Sequence, residues 1–374
     1  MPEWRRISLA DLVRLRRGFD LPAPERRAGR FPVVGSAGVS GWHDRGPLAG
    51  PGITLGRSGS SIGTVTYVPS DYWPLNTVLF VEDFQGNDPR FLYFLLRTID
   101  FTRFNSGSAQ PSLNRNHIAA VELRAPEYPE QRAIAAVLGA LDDKIALNHR
   151  LASTARELAE ARYAAATRGP GRRELRLGDL VETLTRGITP RYTADDSALV
   201  VLNQKCVRAG RVDLAPARGT EPAAVPAAKR LRADDVLVNS TGIGTLGRVA
   251  RWVHATRATV DSHVTVVRFV PDRLDPVCGA FSMLAAQPRI TLMGEGSTGQ
   301  TELSRAKLND LVIAVPAAER CAGIGAELAA LDARGEAAHA ESAALARLRD
   351  ALSPKLMSGE VRVRDAERTM GSLV

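Results

Sequence analysis

The sequence carries one pattern twice, so any fold for it must be built twice. Ile7-Ser-Leu-Ala-Asp-Leu-Val13, with Arg17-Gly18 after it, reads like Leu175-Arg-Leu-Gly-Asp-Leu-Val181, with Arg186-Gly187 after it, at an offset of 168. Farther on, Gly107-Ser-Ala-Gln-Pro-Ser-Leu-Asn-Arg115 resembles Ser297-Thr-Gly-Gln-Thr-Glu-Leu-Ser-Arg305. There Gln110/Gln300, Leu113/Leu303, Arg115/Arg305 and Pro126/Pro316 pair at an offset of 190, as do Leu141-Asp142 and Leu331-Asp332. The drift from 168 to 190 places roughly twenty extra residues near the middle of the second copy. At about 100–200 residues per domain, 374 residues hold two or three domains.

Each copy has a β-rich part and a helical part. Gly52–Gly56, Ile62–Val68 and Thr77–Val81 read as strands around a Gly/Ser loop; Asp235–Asn239, Arg248–Val253 and Val264–Val270 play the same parts in copy two. A long helix follows. Pro129 sits at a favoured first-turn position with Glu130 next to the positive dipole end. Ile134, Leu138, Leu141, Ile145, Leu151 and Leu158 recur at helical spacing as an apolar stripe. Forty residues at 1.5 Å each span about 60 Å. In copy two Ile324, Leu328, Leu331, Ala338, Leu345 and Leu352 follow the same spacing, and Pro354 is expected to end the helix. Gly323, Gly325 and Gly335 weaken it by about 1 kcal/mol each relative to Ala. Two such stripes can pack as an antiparallel coiled coil, or each helix can cap its own β-rich domain.

The expected architecture is therefore α+β: two β-rich domains, each followed by a long helix, with the two helices pairing as an antiparallel coiled coil. The boundaries read as 1–128, a helix at 129–170, 171–316, a helix at 317–360, and a tail at 361–374.

Several chemistries are missing from the sequence. Gly242-Ile-Gly244-Thr-Leu-Gly247 matches GxGxxG, but a β-like alternation follows it where a dinucleotide site needs a helix. There is no P-loop and no HExxH, and the six histidines do not cluster. Asn87-Asp-Pro-Arg-Phe91 faintly resembles the Asn-Pro-Pro-Phe element of adenine methyltransferases; a turn before a helix at Arg90–Thr98 accounts for it. Cys206, Cys278 and Cys321 are too far apart for a disulfide framework or a CxxC zinc site, which suits a reducing cytoplasm. No apolar run is long enough to span a membrane, and the start has no apolar core for a signal peptide. No metal and no cofactor is expected on this chain.

Charge adds direction. The formal net charge is +8. By block it is +3 for 1–128, +1 for 129–168, +5 for 169–316 and −1 for 317–374. The excess sits in the β-rich blocks, as a polyanion partner requires, although a mildly basic soluble protein would show the same balance.

Glu130-Gln-Arg-Ala-Ile-Ala-Ala-Val-Leu-Gly-Ala-Leu-Asp-Asp-Lys-Ile145, followed by Leu147-Asn148, resembles the central conserved region of type I restriction–modification specificity (S) subunits. Leu348-Arg-Asp-Ala-Leu-Ser-Pro-Lys-Leu-Met-Ser-Gly-Glu-Val-Arg-Val363 is similar to that family's C-terminal conserved segment. The resemblance covers nearly the whole chain. It implies a non-catalytic subunit whose two target-recognition domains each read half of a bipartite, asymmetric site in double-stranded DNA. It also implies spacer helices that dock two methyltransferase (M) subunits, with restriction/translocase (R) subunits as further partners. S-adenosylmethionine would then belong to the methyltransferase. The helix length implies half-site centres about 10–15 bp apart. Copy two departs from the pattern at Glu319-Arg-Cys-Ala-Gly-Ile-Gly325. A specificity-like scaffold in another phage-defence system, or a fused DNA-modifying enzyme, are the alternatives.

The candidate DNA contacts lie in the polar Gly/Ser segments, where glycine lets backbone N–H groups approach phosphate. In copy one they are Arg57, Ser58, Ser60, Ser61, Ser106, Ser108, Gln110 and Arg115. In copy two they are Asn239, Ser240, Thr241, Arg248, Ser297, Thr298, Gln300 and Arg305. Asn203, Gln204 and Lys205 join them because amides pair with adenine edges. Turn and helix-cap roles are the competing explanation for each.

Overall fold

The computed structural model describes residues 4–106, 111–195, 197–295 and 301–365. Its chain divides into two compact units. Unit 1 is Met1–His149 with Ala340–Val374, and unit 2 is Arg150–His339.

The first stretch runs β1 (Arg5–Ser8), α1 (Leu9–Leu12), β2 (Arg14–Arg17), β3 (Phe31–Gly35), β4 (Gly38–His43), β5 (Gly52–Gly56), β6 (Val65–Val68), β7 (Trp73–Pro74), β8 (Val78–Asp83), α2 (Pro89–Leu96), α3 (Arg115–Ile118), β9 (Glu122–Ala125) and α4 (Tyr128–Ala166). The second runs β10 (Arg173–Arg176), β11 (Val181–Arg186), β12 (Leu199–Leu202), β13 (Val207–Arg208), β14 (Arg211–Val212), β15 (Arg218–Thr220), β16 (Val236–Asn239), β17 (Val249–Arg251), β18 (Ala258–Val260), β19 (Val264–Phe269), α5 (Pro276–Leu292), α6 (Arg305–Asn309), β20 (Val312–Val315) and α7 (Ala318–Ser358).

The repeat is realised strand by strand. Unit 1 holds sheets β2-β8-β5-β6, β4-β3-β7 and β1-β9; unit 2 holds β11-β19-β16-β17, β15-β12-β18 and β10-β20 in the same order. Each three-stranded sheet joins one antiparallel pair, β3·β4 or β12·β15, to one parallel pair, β3·β7 or β12·β18. Much of the extra length in copy two falls at one place. Residues 36–37 link β3 to β4, whereas 203–217, containing the β13–β14 hairpin, link β12 to β15.

Helix starts follow local chemistry. Asp88 caps α2 by accepting from the Arg90 and Phe91 N–H groups, and Pro89 fills the first helical position. Asn87-Asp88-Pro89 is therefore a turn into a helix. Asp275 and Pro276 do the same for α5.

The long helices close each core. In unit 1, Ile134, Leu138 and Leu141 of α4 pack with Phe91, Leu92, Phe94 and Leu95 and with Leu352, Leu356 and Met357 of α7. In unit 2, Ala159, Tyr163 and Ala166 of α4 join Phe281, Ile290, Ile324 and Leu328. Polar pairs set an antiparallel register within each unit. Arg349 bonds Asp142 at 2.6 Å and Asn148 donates to Glu341 at 2.7 Å in unit 1. Arg162 bonds Glu327 at 2.7 Å in unit 2.

Two helix expectations need correction. Leu158 is half exposed, and Ala152, Ala155 and Ala159 form the buried stripe of the second half of α4. Small side chains there let the backbones approach: a Cβ on Gly335 would lie 3.8 Å from the Ala152 carbonyl oxygen. Pro354 does not end α7, which continues to Ser358. It removes one hydrogen bond, to the Asp350 carbonyl, within two turns of the end. Burying Leu356 and Met357 beyond it, at about 1.5–3 kcal/mol each, offsets a cost of about 3 kcal/mol.

The helix glycines also have a packing role. A Cβ on Gly325 would sit 2.2 Å from the Asp275 carboxylate that caps α5. A Cβ on Gly139 would sit 2.6 Å from Nε of Arg90. That arginine donates to the Gly139 carbonyl at 3.0 Å and holds Asp143 in a two-pronged ion pair at 2.7 and 2.8 Å. The pair keeps the Asp143 carboxyl below its usual range. Gln131, almost fully buried, bonds Asn87, the Asp88 N–H and the Pro126 carbonyl, tying α4 to the turn before α2.

Among the described residues no helix is long and apolar enough to cross a membrane, and no group of three or more His, Cys, Asp or Glu is placed to hold a metal. Cys206, Cys278 and Cys321 are free and buried.

Candidate nucleic-acid interface

In unit 1 the β5–β6 loop is held by its own backbone. Gly56 N–H donates to the Thr64 carbonyl and Gly63 N–H to the Gly56 carbonyl. A Cβ on Gly56 would lie 2.2 Å from the Ser61 carbonyl oxygen, and Gly59 adopts φ +70°, so glycine is required at both. Ser106 and the distant residues 111–113 dock on this loop. Ser58 bridges Ser112, Gly59 N–H donates to the Pro111 carbonyl, and Leu113 N–H donates to the Arg57 carbonyl. Ser106 N–H and Oγ both meet the Ser112 carbonyl. The fold thus brings Arg57, Ser58, Ser60 and Ser61 together with Ser106, some fifty residues away in sequence.

A group of cations lies beside this loop. One terminal nitrogen of Arg57 donates to the Asn76 carbonyl at 3.3 Å, while its Nε is buried without a partner. Burial and then the adjacent Arg17 hold its pKa below the ordinary value for arginine. Arg17 was not singled out from the sequence. The Arg-Gly pair at 17–18 stood out there only as a repeat marker. Arg115 opens α3 and donates to the Leu15 carbonyl of β2 at 3.3 Å. Two guanidiniums in mutual repulsion, one with an unmet buried donor, form a site that an anion would relieve.

In unit 2 the same positions divide into exposed and internal roles. Asn239 and Ser240 are fully buried and are corrected from contacts to core groups. Asn239 donates to the Gln204 carbonyl at 2.9 Å, and Ser240 Oγ lies 2.5 Å from Thr265 Oγ1. Asn239 ends, and Ser240 follows, a strand whose every residue is buried, so no alternation brings them to the surface. Asn203 is also corrected to a structural role: its Oδ1 caps the Lys205 N–H and its Nδ2 donates to the Pro216 carbonyl, so both ends of its amide hold the turn. Arg248 turns inward to the Gly244 carbonyl at 2.9 Å and braces the loop.

The remaining groups converge. Gln204 Nε2 meets Thr241 Oγ1 at 3.3 Å, Thr245 Oγ1 donates to Gln204 Oε1 at 3.1 Å, and Thr241 Oγ1 lies 2.8 Å from His263 Nδ1. Lys205 is exposed beside them. Arg305 opens α6 as Arg115 opens α3. It lines a 340 Å³ cleft with Arg186, Glu295, Glu302 and Ser304. Here Arg186, the counterpart of Arg17, is paired to Glu302 at 2.5 Å. The two units therefore present different charge at equivalent places. Ser108, Gln110, Ser297, Thr298 and Gln300 lie outside the described residues.

Comparison with known proteins finds likenesses of sequence and of fold. The family model described as type I restriction modification DNA specificity domain matches residues 1–155. The specificity subunit of the type I restriction enzyme EcoprrI from Escherichia coli is 24% identical over 145 residues, which are 37% of this chain and 36% of that protein. The chain thus aligns with about a third of that relative's length. The crystal structure of a type-I restriction-modification system S subunit from M. genitalium superposes with a TM-score of 0.70. It covers 95% of this chain and 96% of that one at 16% identity, so the fold of the specificity subunit extends past the matched domain.

Proposed function

We propose that this chain is the non-catalytic DNA-recognition subunit of a type I restriction–modification complex. Residues 1–128 and 171–316 are the two target-recognition domains of this reading. Each reads one half of a bipartite, asymmetric site in double-stranded DNA. The long helices are the spacer and the seat of two methyltransferase subunits, which carry S-adenosylmethionine, and restriction subunits complete the complex in the cytoplasm. The observation that carries the reading is the specificity-domain match at 1–155, combined with a second copy of the same sheet topology in unit 2.

The test is a methylation map. The chain is co-expressed with its cognate methyltransferase in a host lacking other adenine methyltransferases, and modified adenines are read across the genome. A split motif, two short half-sites around a fixed unread gap, is the expected result. A complex that assembles yet methylates nothing overturns the reading.

The unit 1 loop gives a second expected result. Arg57→Gln removes one cation that a phosphate would neutralise, so binding weakens on every duplex, matched or not. The slope of log affinity against log salt should fall by about 0.9. An unchanged slope removes Arg57 from the interface.

A further inference from the structure

Ile243 stands at the tip of the β16–β17 loop and is 87% exposed. A lone exposed aliphatic is ordinary on a protein surface, and a floppy loop tip would need no explanation. This tip is braced. The Thr245 and Leu246 N–H groups both donate to the Gly242 carbonyl, at 3.1 and 3.0 Å. Gly247 N–H donates to Asn239, Arg248 N–H to Thr245, and the Arg248 guanidinium to the Gly244 carbonyl. Leu246 is buried in the unit 2 core three residues past the tip, and a Cβ on Gly247 would lie 2.6 Å from the Thr291 Cα. Gly242 and Gly244 take φ +103° and +71°, so the chain turns sharply on either side of Ile243 and pushes it outward.

Its surroundings have the chemistry of base edges. Gln204, Thr241, Thr245 and His263 form one hydrogen-bonded group at the base of the loop. The equivalent β5–β6 loop of unit 1 carries Ser60 and Ser61, with no exposed large hydrophobic residue. A rigid apolar tip above polar readers is the arrangement of a side chain that enters a base step and unstacks it.

We infer that Ile243 is a wedge that inserts into a base step of the DNA half-site read by unit 2, a device without a counterpart on the equivalent β5–β6 loop of unit 1. This rests on the proposed DNA-recognition function. The step it enters would be a pyrimidine–purine step, the kind that unstacks most easily. Unit 2 then selects its half-site partly by deformability, at a position where no hydrogen bond reads the base.

The test uses the chain assembled with its methyltransferase and duplexes bearing the mapped site. 2-Aminopurine replaces each purine of both half-sites in turn. The wild-type complex should raise its fluorescence several-fold at one step of one half-site only. Ile243→Ser should abolish that rise and weaken binding about tenfold, while Ile243→Phe keeps both. A bound duplex with no rise, or a rise that survives Ile243→Ser, overturns the wedge and leaves the recognition function standing. Loss of the methyltransferase from Ile243→Ser preparations, with unstacking intact, makes Ile243 a protein contact and also overturns it. No duplex binding by the wild-type complex overturns the function itself.

Discussion

Seven residues inserted into α4 after His149, with seven more into α7 before Ala340, should widen the unread gap of the methylation motif by about three base pairs. Both points fall where the helices pass from one unit to the other. Seven residues lengthen a helix by about 10.5 Å and complete almost two turns, so the buried faces keep their direction. At about 3.4 Å per base pair the added length equals roughly three pairs. Both helices must grow together. Asn148 and Glu341 pair in unit 1 and Arg162 and Glu327 in unit 2, so an insertion in α4 alone cannot keep both registers. That single insertion should lower the melting temperature and the yield of methylated DNA without producing a longer gap. The measurement is the methylation map of each variant. A doubly lengthened protein that still modifies the original motif would show that the helices do not measure distance.

Asp235→Ala should destabilise unit 2 by about 3–5 kcal/mol. The Asp235 carboxylate has no exposed surface and takes two hydrogen bonds of 2.6 Å from the Arg268 guanidinium. It also accepts the Arg232 N–H at 2.8 Å, fixing the turn into β16. Removing it leaves a buried guanidinium on β19, in the middle of the four-stranded sheet. For a unit of this size the loss is about 6–20 °C in melting temperature. Replacing both partners with apolar residues, Asp235→Leu with Arg268→Met, should recover most of it, because no charge is then stranded. Calorimetry on the three proteins decides the matter. A single change worth under about 1 kcal/mol would mean that water reaches the pair.

These two expectations draw on different levels of the sequence. The helices and their partnership were legible because apolar spacing is a local, repeated signal, and the duplication was legible because its motifs recur at fixed offsets. What the sequence hid depends on contacts between distant segments. Asn239 and Ser240 looked like loop residues, yet Ser240 meets Thr265 and Asn239 meets Gln204 inside the core. Pro354 looked like a stop because the burial of Leu356 and Met357 beyond it is a tertiary effect. The glycines of α7 looked like weakness until Asp275 was seen against Gly325. Arg17 and Arg57 are forty residues apart and become neighbours only through the sheet. Ile243 was visible inside a glycine pattern that was set aside for lacking a helix after it, and its exposure gives that pattern a different use.

The division of the chain has a consequence for its synthesis. Most of unit 1 precedes unit 2 in the sequence, but part of its core is Leu352, Leu356 and Met357, made only after all of unit 2. A ribosome adding about 5–20 residues per second needs about 10–40 s to cross the 190 residues of unit 2. During that interval the first unit waits without Leu352, Leu356 and Met357, whereas every residue of unit 2 lies in one unbroken stretch of chain. Of the two units, the one begun first is then the one completed last. A nascent chain stalled before residue 340 would lack Leu352, Leu356 and Met357 and leave their side of the unit 1 core open to chaperones or proteases.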